Sequence, residues 1–417
     1  MNEAPAPRVR PALSVIVPTR NRSRWLLRLL ERLNEQTYPA ERFEVVPVVN
    51  GSTDDTIERL ARFEAPFALH PIETAEPGTA RARNRGASAA KGDLLLFLDD
   101  DVVPAPALVE AHARAHETEE RFVGVGPYYP VHAPRVDFLR ISTRNWWENL
   151  FEEIRRPGHR SCYRDVLSGN LSIRRDLFRS LGGFARDFAE CDGEDWELGI
   201  RVVRNGIPIR FLPDAEAEHH EHETMTLERS FLRARRAGRG DARVSLHHPE
   251  FRRKLAPPPG RPWDLSPRRA PILLARCAPR VCEGPARALA RLLPLFESAR
   301  MRKGWKCLYH FIRGYWHWRG YFEEMRKIGF ERGFPGPQPE PAEEAAVSLD
   351  VGIEEAARLV DRERPAALRV FSEDRLVGVV PFEPGAERLR GIHLRRALAG
   401  PLSEAFMADR GGREWSR

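Results

Sequence analysis

Leu94-Leu95-Leu96-Phe97-Leu98-Asp99-Asp100-Asp101 is the stretch whose reading decides the fold. Five consecutive apolar residues read as a strand buried on both faces, as in a parallel sheet covered by helices. Three carboxylates at its end repel one another, and each must keep its solvation or find a cation. In open α/β sheets, ligands sit just beyond the carboxyl ends of the strands. A divalent metal carrying a diphosphate would satisfy the cluster, because hard oxygen ligands suit Mg2+ or Mn2+. A solvated acidic turn is the alternative for the triplet taken alone.

Outward from this stretch, strand and helix patterns alternate. Leu13 to Val17 is a strand stopped by Pro18, and Phe43 to Val49 is a second. Trp25, Leu26, Leu29, Leu30 and Leu33 recur at helical spacing, and Thr79 to Ala90 is a further amphipathic helix. Thr56 to Phe63 reads as a short helix and Phe67 to Ile72 as a third strand. This alternation argues for a parallel α/β sheet. Further on, Phe122 to Gly126, Leu167 to Ile173 and Pro208 to Leu212 read as strands, and Asp192 to Asn205 as a helix stopped at Gly206. The charged segment Phe151 to Asp165 suits a loop over a site.

The 417 residues allow two or three domains. Met1 to Pro11 lacks the apolar core of a secretory signal and reads as a flexible N-terminus. Residues 12–256 form the first domain and 257–332 a helical, basic and aromatic extension. Residues 333–345 are a Pro- and Glu-rich linker, and 346–417 a small α+β unit. No apolar run is long enough to span a membrane. Five scattered cysteines without metal-ligand spacing fit a reducing cytoplasm. The net charge of +7 suits a phosphorylated substrate, an anionic membrane or nucleic acid, or reflects an Arg-rich composition. The basic residues are spread along the chain and matched by 60 acids, which argues against a nucleic-acid binder.

Four segments carry the chemistry. Pro18-Thr19-Arg20-Asn21 and Asn50-Gly51-Ser52-Thr53-Asp54-Asp55 each follow a strand, so they share the ligand edge of the sheet with the triplet. Pro77-Gly78-Thr79 leads into Ala82-Arg83-Asn84, and Glu194-Asp195-Trp196 opens a later helix. In this order, together with Ser168-Gly169-Asn170-Leu171, they make the chain resemble the family-2 glycosyltransferases over about Leu13 to Arg239.

The resemblance implies a GT-A fold: an α/β, Rossmann-like nucleotide-diphospho-sugar transferase domain. It implies a metal-dependent, inverting transfer from a nucleotide-sugar donor, with Mn2+ or Mg2+ as cofactor. It places Pro18, Thr19, Arg20, Asn50, Ser52, Asp54, Gly78, Arg83, Asp99 and Asp100 around the donor. Asp101 and His219 would hold the metal, with His220 and His222 as rivals to His219. Asp195 would be the catalytic base, Glu194 its orienting neighbour, and Trp196, Gly169 and Asn170 would meet the acceptor. Asn50 stands where many relatives carry an aspartate that reads the base, and an amide both donates and accepts. Helix capping is the alternative role for Glu194 and Asp195, and core packing for Trp196.

The expected acceptor is a glycan, a lipid-linked saccharide or a small molecule, in cell-surface polysaccharide or glycoconjugate synthesis. The expected location is the cytoplasm, with peripheral contact at the inner face of the membrane open through the Trp- and Arg-rich helices. Packing of those helices on the first domain is the simpler expectation. Two other functions are weighed. A non-catalytic nucleotide- or glycan-binding scaffold would bind without turnover. A sugar-phosphate nucleotidyltransferase would need a glycine-rich loop after the first strand, which Pro18-Thr19-Arg20-Asn21 is not.

Overall fold

The computed structural model describes residues 12–75, 78–119, 121–131, 137–189, 191–220, 225–257, 266, 269–330, 343–403 and 405–406. Met1 to Pro11, Pro77, His222 and 333–342 of the expected linker lie outside the described residues. The strands of the first half are β1 (Leu13–Thr19), β2 (Phe43–Asn50), β3 (Ala68–Leu69), β4 (Ile72–Thr74), β5 (Leu94–Leu98), β6 (Val102–Pro104), β7 (Val123–Val125), β8 (Tyr128–Pro130), β9 (Asn170–Arg174), β10 (Ile209–Phe211) and β11 (Ala217–His219).

The main sheet runs β10-β7-β9-β5-β1-β2-β3, with β4 also on β2. β1 pairs in parallel with both β2 and β5. All five residues of β5 are fully buried, as a strand covered on both faces requires. The helices Ser23–Leu33 and Thr79–Ala89 supply that cover from Leu26, Leu29, Leu30, Ala80 and Ala82. The sheet is not wholly parallel, because β9 is antiparallel to β5 and to β7. The third strand expected over Phe67 to Ile72 is two short pieces, β3 and β4, both on β2. A second small sheet, β6-β11-β8, folds over the end of β5 and sets His219 opposite Val102.

The helical extension packs rather than unfolds outward. Trp305, Tyr309, Tyr315 and Trp316 are buried in a core that includes Phe231 and Ala234 of the helix Leu227–His247. The helical extension includes three successive helices, Glu283–Ala290, Leu293–Ser298 and Arg302–Lys327. Pro294 starts the second, and Arg300 breaks the path to the third with φ +54°. The long helices cross at glycines. A Cβ on Gly320 would lie 1.9 Å from the Arg235 carbonyl oxygen, and one on Gly238 1.8 Å from that of His317. Only hydrogen lets the two backbones approach so closely.

The last unit is a three-stranded sheet of β12 (Glu344–Ser348), β13 (Ala367–Ser372) and β14 (Arg375–Val380), with helices Ile353–Glu363 and Gly391–Ala399. β13 and β14 form a hairpin that turns at Glu373 and Asp374 with φ +47° and +64°. β12 begins inside the expected linker and pairs in parallel with β13. The segment Phe151 to Asp165 does not roof a site. Its first residues end the helix Phe138–Arg155, and the rest seats this last unit. Arg160 donates to the carbonyls of Glu387 (2.9 Å), Ala366 (3.1 Å) and Pro381 (3.3 Å), and the Tyr163 N–H donates to Gly385 O (2.8 Å).

Gly320→Ala is expected to push the two long helices apart and to lower unfolding stability by about 1–3 kcal/mol. Urea denaturation of the variant beside the parent checks this.

Candidate active site

β1, β2 and β5 run in parallel, so their carboxyl ends open on one edge of the sheet. A cleft of about 960 Å³ lies there. Its floor is Pro18, Thr19 and Arg20 after β1, Asn50 at the end of β2 and Asp99 to Asp101 after β5. Gly78 enters its wall with φ +118°, and a Cβ there would lie 2.6 Å from Ala189 Cα. Glycine is required at that point by conformation and by space.

Each aspartate of the triplet has a different environment. Asp100 is buried, accepts from Thr19 Oγ1 (2.8 Å) and pairs with Arg22 (2.7 Å). Burial pushes its carboxyl up to about 7, against the pull of Arg22. Asp101 uses one oxygen to pair with Arg22 (2.6 Å). Its other oxygen lies 3.8 Å from His219 Nε2. Asp99 is the open member and takes Arg83 Nη2 at 2.6 Å.

Arg83, almost fully buried, joins the two sides of the cleft. Its second nitrogen reaches Glu194 at 2.7 Å. Glu194 and Asp195 begin the helix Glu194–Arg204, whose N-terminus favours negative charge. Glu194 therefore spends its charge on Arg83, while Asp195 lines the cleft. Enclosure by protein, aided by the neighbouring charge of Glu194, pushes Asp195 up to about 7. A carboxylate tuned to that range is suited to proton transfer near neutrality.

The donor set fits a divalent cation. Asp101 Oδ1 and His219 Nε2 are too far apart for a hydrogen bond. Both are buried at the cleft and offer the carboxylate oxygen and imidazole nitrogen that a divalent cation would take. Burial pushes the His219 imidazole below its ordinary value, so it is neutral and able to ligate at pH 7. Among the described residues no group of three His, Cys, Asp or Glu side chains is placed to hold a metal ion. A shell at Asp101 and His219 would thus be completed by ligand oxygens.

Gly169, Trp196 and His219 also line the cleft. Four expected residues are elsewhere. Ser52 accepts from the Asn21 N–H (2.9 Å) and Asp54 from the Thr56 hydroxyl (2.5 Å), so both shape turns. Asn170 is fully buried beneath the cleft and bonds His112 Nε2 (2.9 Å) and the Ala215 carbonyl (2.8 Å). His220 turns away and packs on Trp25. Sequence reasoning missed Arg22, although three carboxylates one strand away demanded a cation. It also missed Tyr128, Trp147, Arg233, Arg236, Tyr309 and Arg313, which reach the cleft from helices and strands distant in sequence. Asn50 Oδ1 is buried and lacks a hydrogen-bond partner among the described residues.

Residues 14–182 match the profile of glycosyl transferase family 2. These residues form a glycosyltransferase family 2 domain. Residues 148–223 of this family-2 glycosyltransferase also match a profile described as the N-terminal domain of galactosyltransferase. An uncharacterised glycosyltransferase of Bacillus subtilis is 28% identical, over 50% of this chain and 64% of its own. Validoxylamine A glucosyltransferase of Streptomyces hygroscopicus subsp. jinggangensis is 30% identical, over 51% of this chain and 56% of its own. Chondroitin synthase of Escherichia coli is 26% identical, over 50% and 34%. The chain thus spans less than two thirds of each of these relatives. A mannosyltransferase of Pyrobaculum calidifontis, solved with GDP-mannose and Mn2+, superposes with a TM-score of 0.52 at 21% identity, over 78% of this chain and 90% of that one. At that identity the likeness is one of fold, and the fold is GT-A.

Two variants test the electrostatics. Arg83→Met leaves Glu194 buried without its cation and is expected to cost about 3–5 kcal/mol of stability. Asp195→Asn is expected to raise the melting temperature at pH 8. A carboxyl raised to about 7 in the fold costs stability as pH climbs from about 4, its unfolded value. The cost is complete above about 7, and the amide does not carry it. Calorimetry at pH 5 and pH 8 checks both variants.

Proposed function

We propose that this family-2 glycosyltransferase moves a sugar from a nucleoside-diphosphate donor to an acceptor hydroxyl, with inversion at the anomeric carbon. The observation that carries this reading is the placement of Asp195, tuned to about 7, in the same cleft as the triplet Asp99 to Asp101. A base and an anion-handling site in one cavity are what a single displacement needs.

The donor lies along the ends of β1, β2 and β5. Asn50 reads the base, and its buried Oδ1 takes a base N–H. Thr19 and Asp100 support the floor beneath it, and Asp99 meets the ribose. Gly78 lets backbone approach the nucleotide, and Arg83 holds Asp99 in place. Asp101 and His219 would hold a divalent cation, Mn2+ or Mg2+, which when bound would supply neutralisation of charge on the departing diphosphate. Asp195 takes the proton of the acceptor hydroxyl as its oxygen bonds to C1. The C1–oxygen bond to the diphosphate breaks on the opposite face, so no covalent enzyme intermediate forms.

Trp196, half-buried and overlaid by Arg164 at 5.5 Å, offers an edge for the acceptor beside Gly169. The acceptor is a saccharide or a glycosylated metabolite. Relatives named for chondroitin and validoxylamine A chemistry support that breadth. The five cysteines are all free, which supports a reducing cytoplasm, where nucleotide sugars are made available.

Thermal unfolding with UDP, GDP, dTDP and CDP, each with Mn2+ or EDTA, tests the donor site. One nucleotide at a hundred times its Kd should add about 2.7 kcal/mol, in the presence of Mn2+ only. Asp101→Ala should abolish that increment. Asp195→Asn should keep it and lower kcat by about 10²–10⁴-fold. Parent kcat/KM should fall as pH drops through about 7, because only the unprotonated Asp195 accepts the proton. Normal turnover by Asp195→Asn would sink the assignment of the base.

A further inference from the structure

Residues 269–306 hold nine Arg or Lys and two Glu, an excess equal to the net +7 of the whole chain. The remainder of the protein is therefore neutral overall. Arg280, Arg291, Arg300, Arg302, Lys303 and Lys306 are all exposed, and none is ion-paired among the described residues.

Apolar side chains stand among these charges. Val281 is 77% exposed, Leu295 63%, Met301 54% and Leu292 39%. Arg291, Leu292 and Leu295 share one face by helical spacing, while Leu293 points into the core beside Trp305. The turn at Arg300 folds back on the same helices, since the Met301 N–H donates to Phe296 O (2.8 Å). Met301 is thereby held at the end of the helix that carries Leu295, and Arg302 and Lys303 follow it directly. The large aromatics of this region are spent on the core, so the outward face is a separate feature of the sequence.

We infer that this face seats on an anionic lipid bilayer. Guanidinium and ammonium groups meet the headgroup charge, and the four apolar side chains enter the acyl boundary. Among the described residues no helix is long and apolar enough to cross a membrane, so the contact is peripheral. The helix Arg302–Lys327 leads from this face to Tyr309, His310 and Arg313 in the cleft wall. An acceptor carried on a lipid would thus meet the cleft, a consequence that rests on the proposed transfer, whereas the docking does not.

Co-sedimentation of the full chain with vesicles decides the matter, using phosphatidylcholine alone and phosphatidylcholine mixed with phosphatidylglycerol. Binding is expected only to the mixed vesicles and should weaken with salt. Arg291→Glu with Arg302→Glu should lower partition at least about tenfold, reasoned from the surface-charge contribution of each residue. Leu292→Ser with Leu295→Ser should also lower it, and Arg358→Glu on the last unit should not. Unchanged far-UV spectra and melting would tie these losses to the surface. No binding to the mixed vesicles, or binding indifferent to both double variants, overturns the inference. Binding lost on charge reversal, indifferent to Leu292 and Leu295 and competed by single-stranded RNA, assigns the face to a polyanion instead.

Discussion

The guanidinium of Arg83 is 3% exposed and bonds Asp99 on one side and Glu194 on the other. The geometry of the cleft depends on this tie. Asp99 belongs to the end of a central strand, and Glu194 to the start of a helix more than ninety residues later. Without a cation between them, two carboxylates would face each other in a poorly hydrated space and repel. With it, the open edge of the sheet and the start of the helix that carries Asp195 are tied together. Arg22 plays the corresponding part for Asp100 and Asp101. The site is thus an acidic cluster held together by two arginines, and Asp195 lines it without an arginine of its own among the described residues, raised by burial to about 7.

A second constraint is the crossing of the helices Leu227–His247 and Arg302–Lys327. Gly238 and Gly320 let two backbones touch, and the surrounding aromatic side chains then fill the space beside the contact. The result is functional as well as structural. Arg233 and Arg236 of one helix, and Tyr309, His310 and Arg313 of the other, form the far wall of the cleft. The extension is therefore part of the cavity. The last unit is coupled differently. It hangs on polar contacts to the loop after the helix Phe138–Arg155, above all those of Arg160 to three carbonyls.

Much of the first domain was legible because its signals are local. A run of five apolar residues can only be buried, and β5 is buried throughout. Gly78 opens its helix with φ +118°, a conformation that favours glycine, whereas Pro18 does not stop β1, which runs on to Thr19 in register with β2. Other features misled for equally local reasons. Ser52 and Asp54 have the composition of ligand contacts, but here Ser52 accepts from the Asn21 N–H of the neighbouring loop, and Asp54 accepts from the Thr56 N–H and hydroxyl at its own helix start. Asn170 lies in a motif that suggests an acceptor contact, yet the alternation of a strand turns its amide inward to His112.

By itself the sequence determined the family-2 character, the order of strands and helices up to β5, and the identity of most residues on the cleft floor. Those follow from periodicity and from motifs that sit at strand ends. Only the tertiary structure decided which carboxylate each arginine would take, which of two adjacent histidines would face Asp101, and that a distant helical pair would complete the cavity. β11 settles the histidine, because its pairing with β6 sets His219 beside the triplet and leaves His220 on Trp25. Such choices rest on contacts between segments far apart in the chain. A charge's partner is fixed by where folding brings the backbone, and no local pattern encodes that distance.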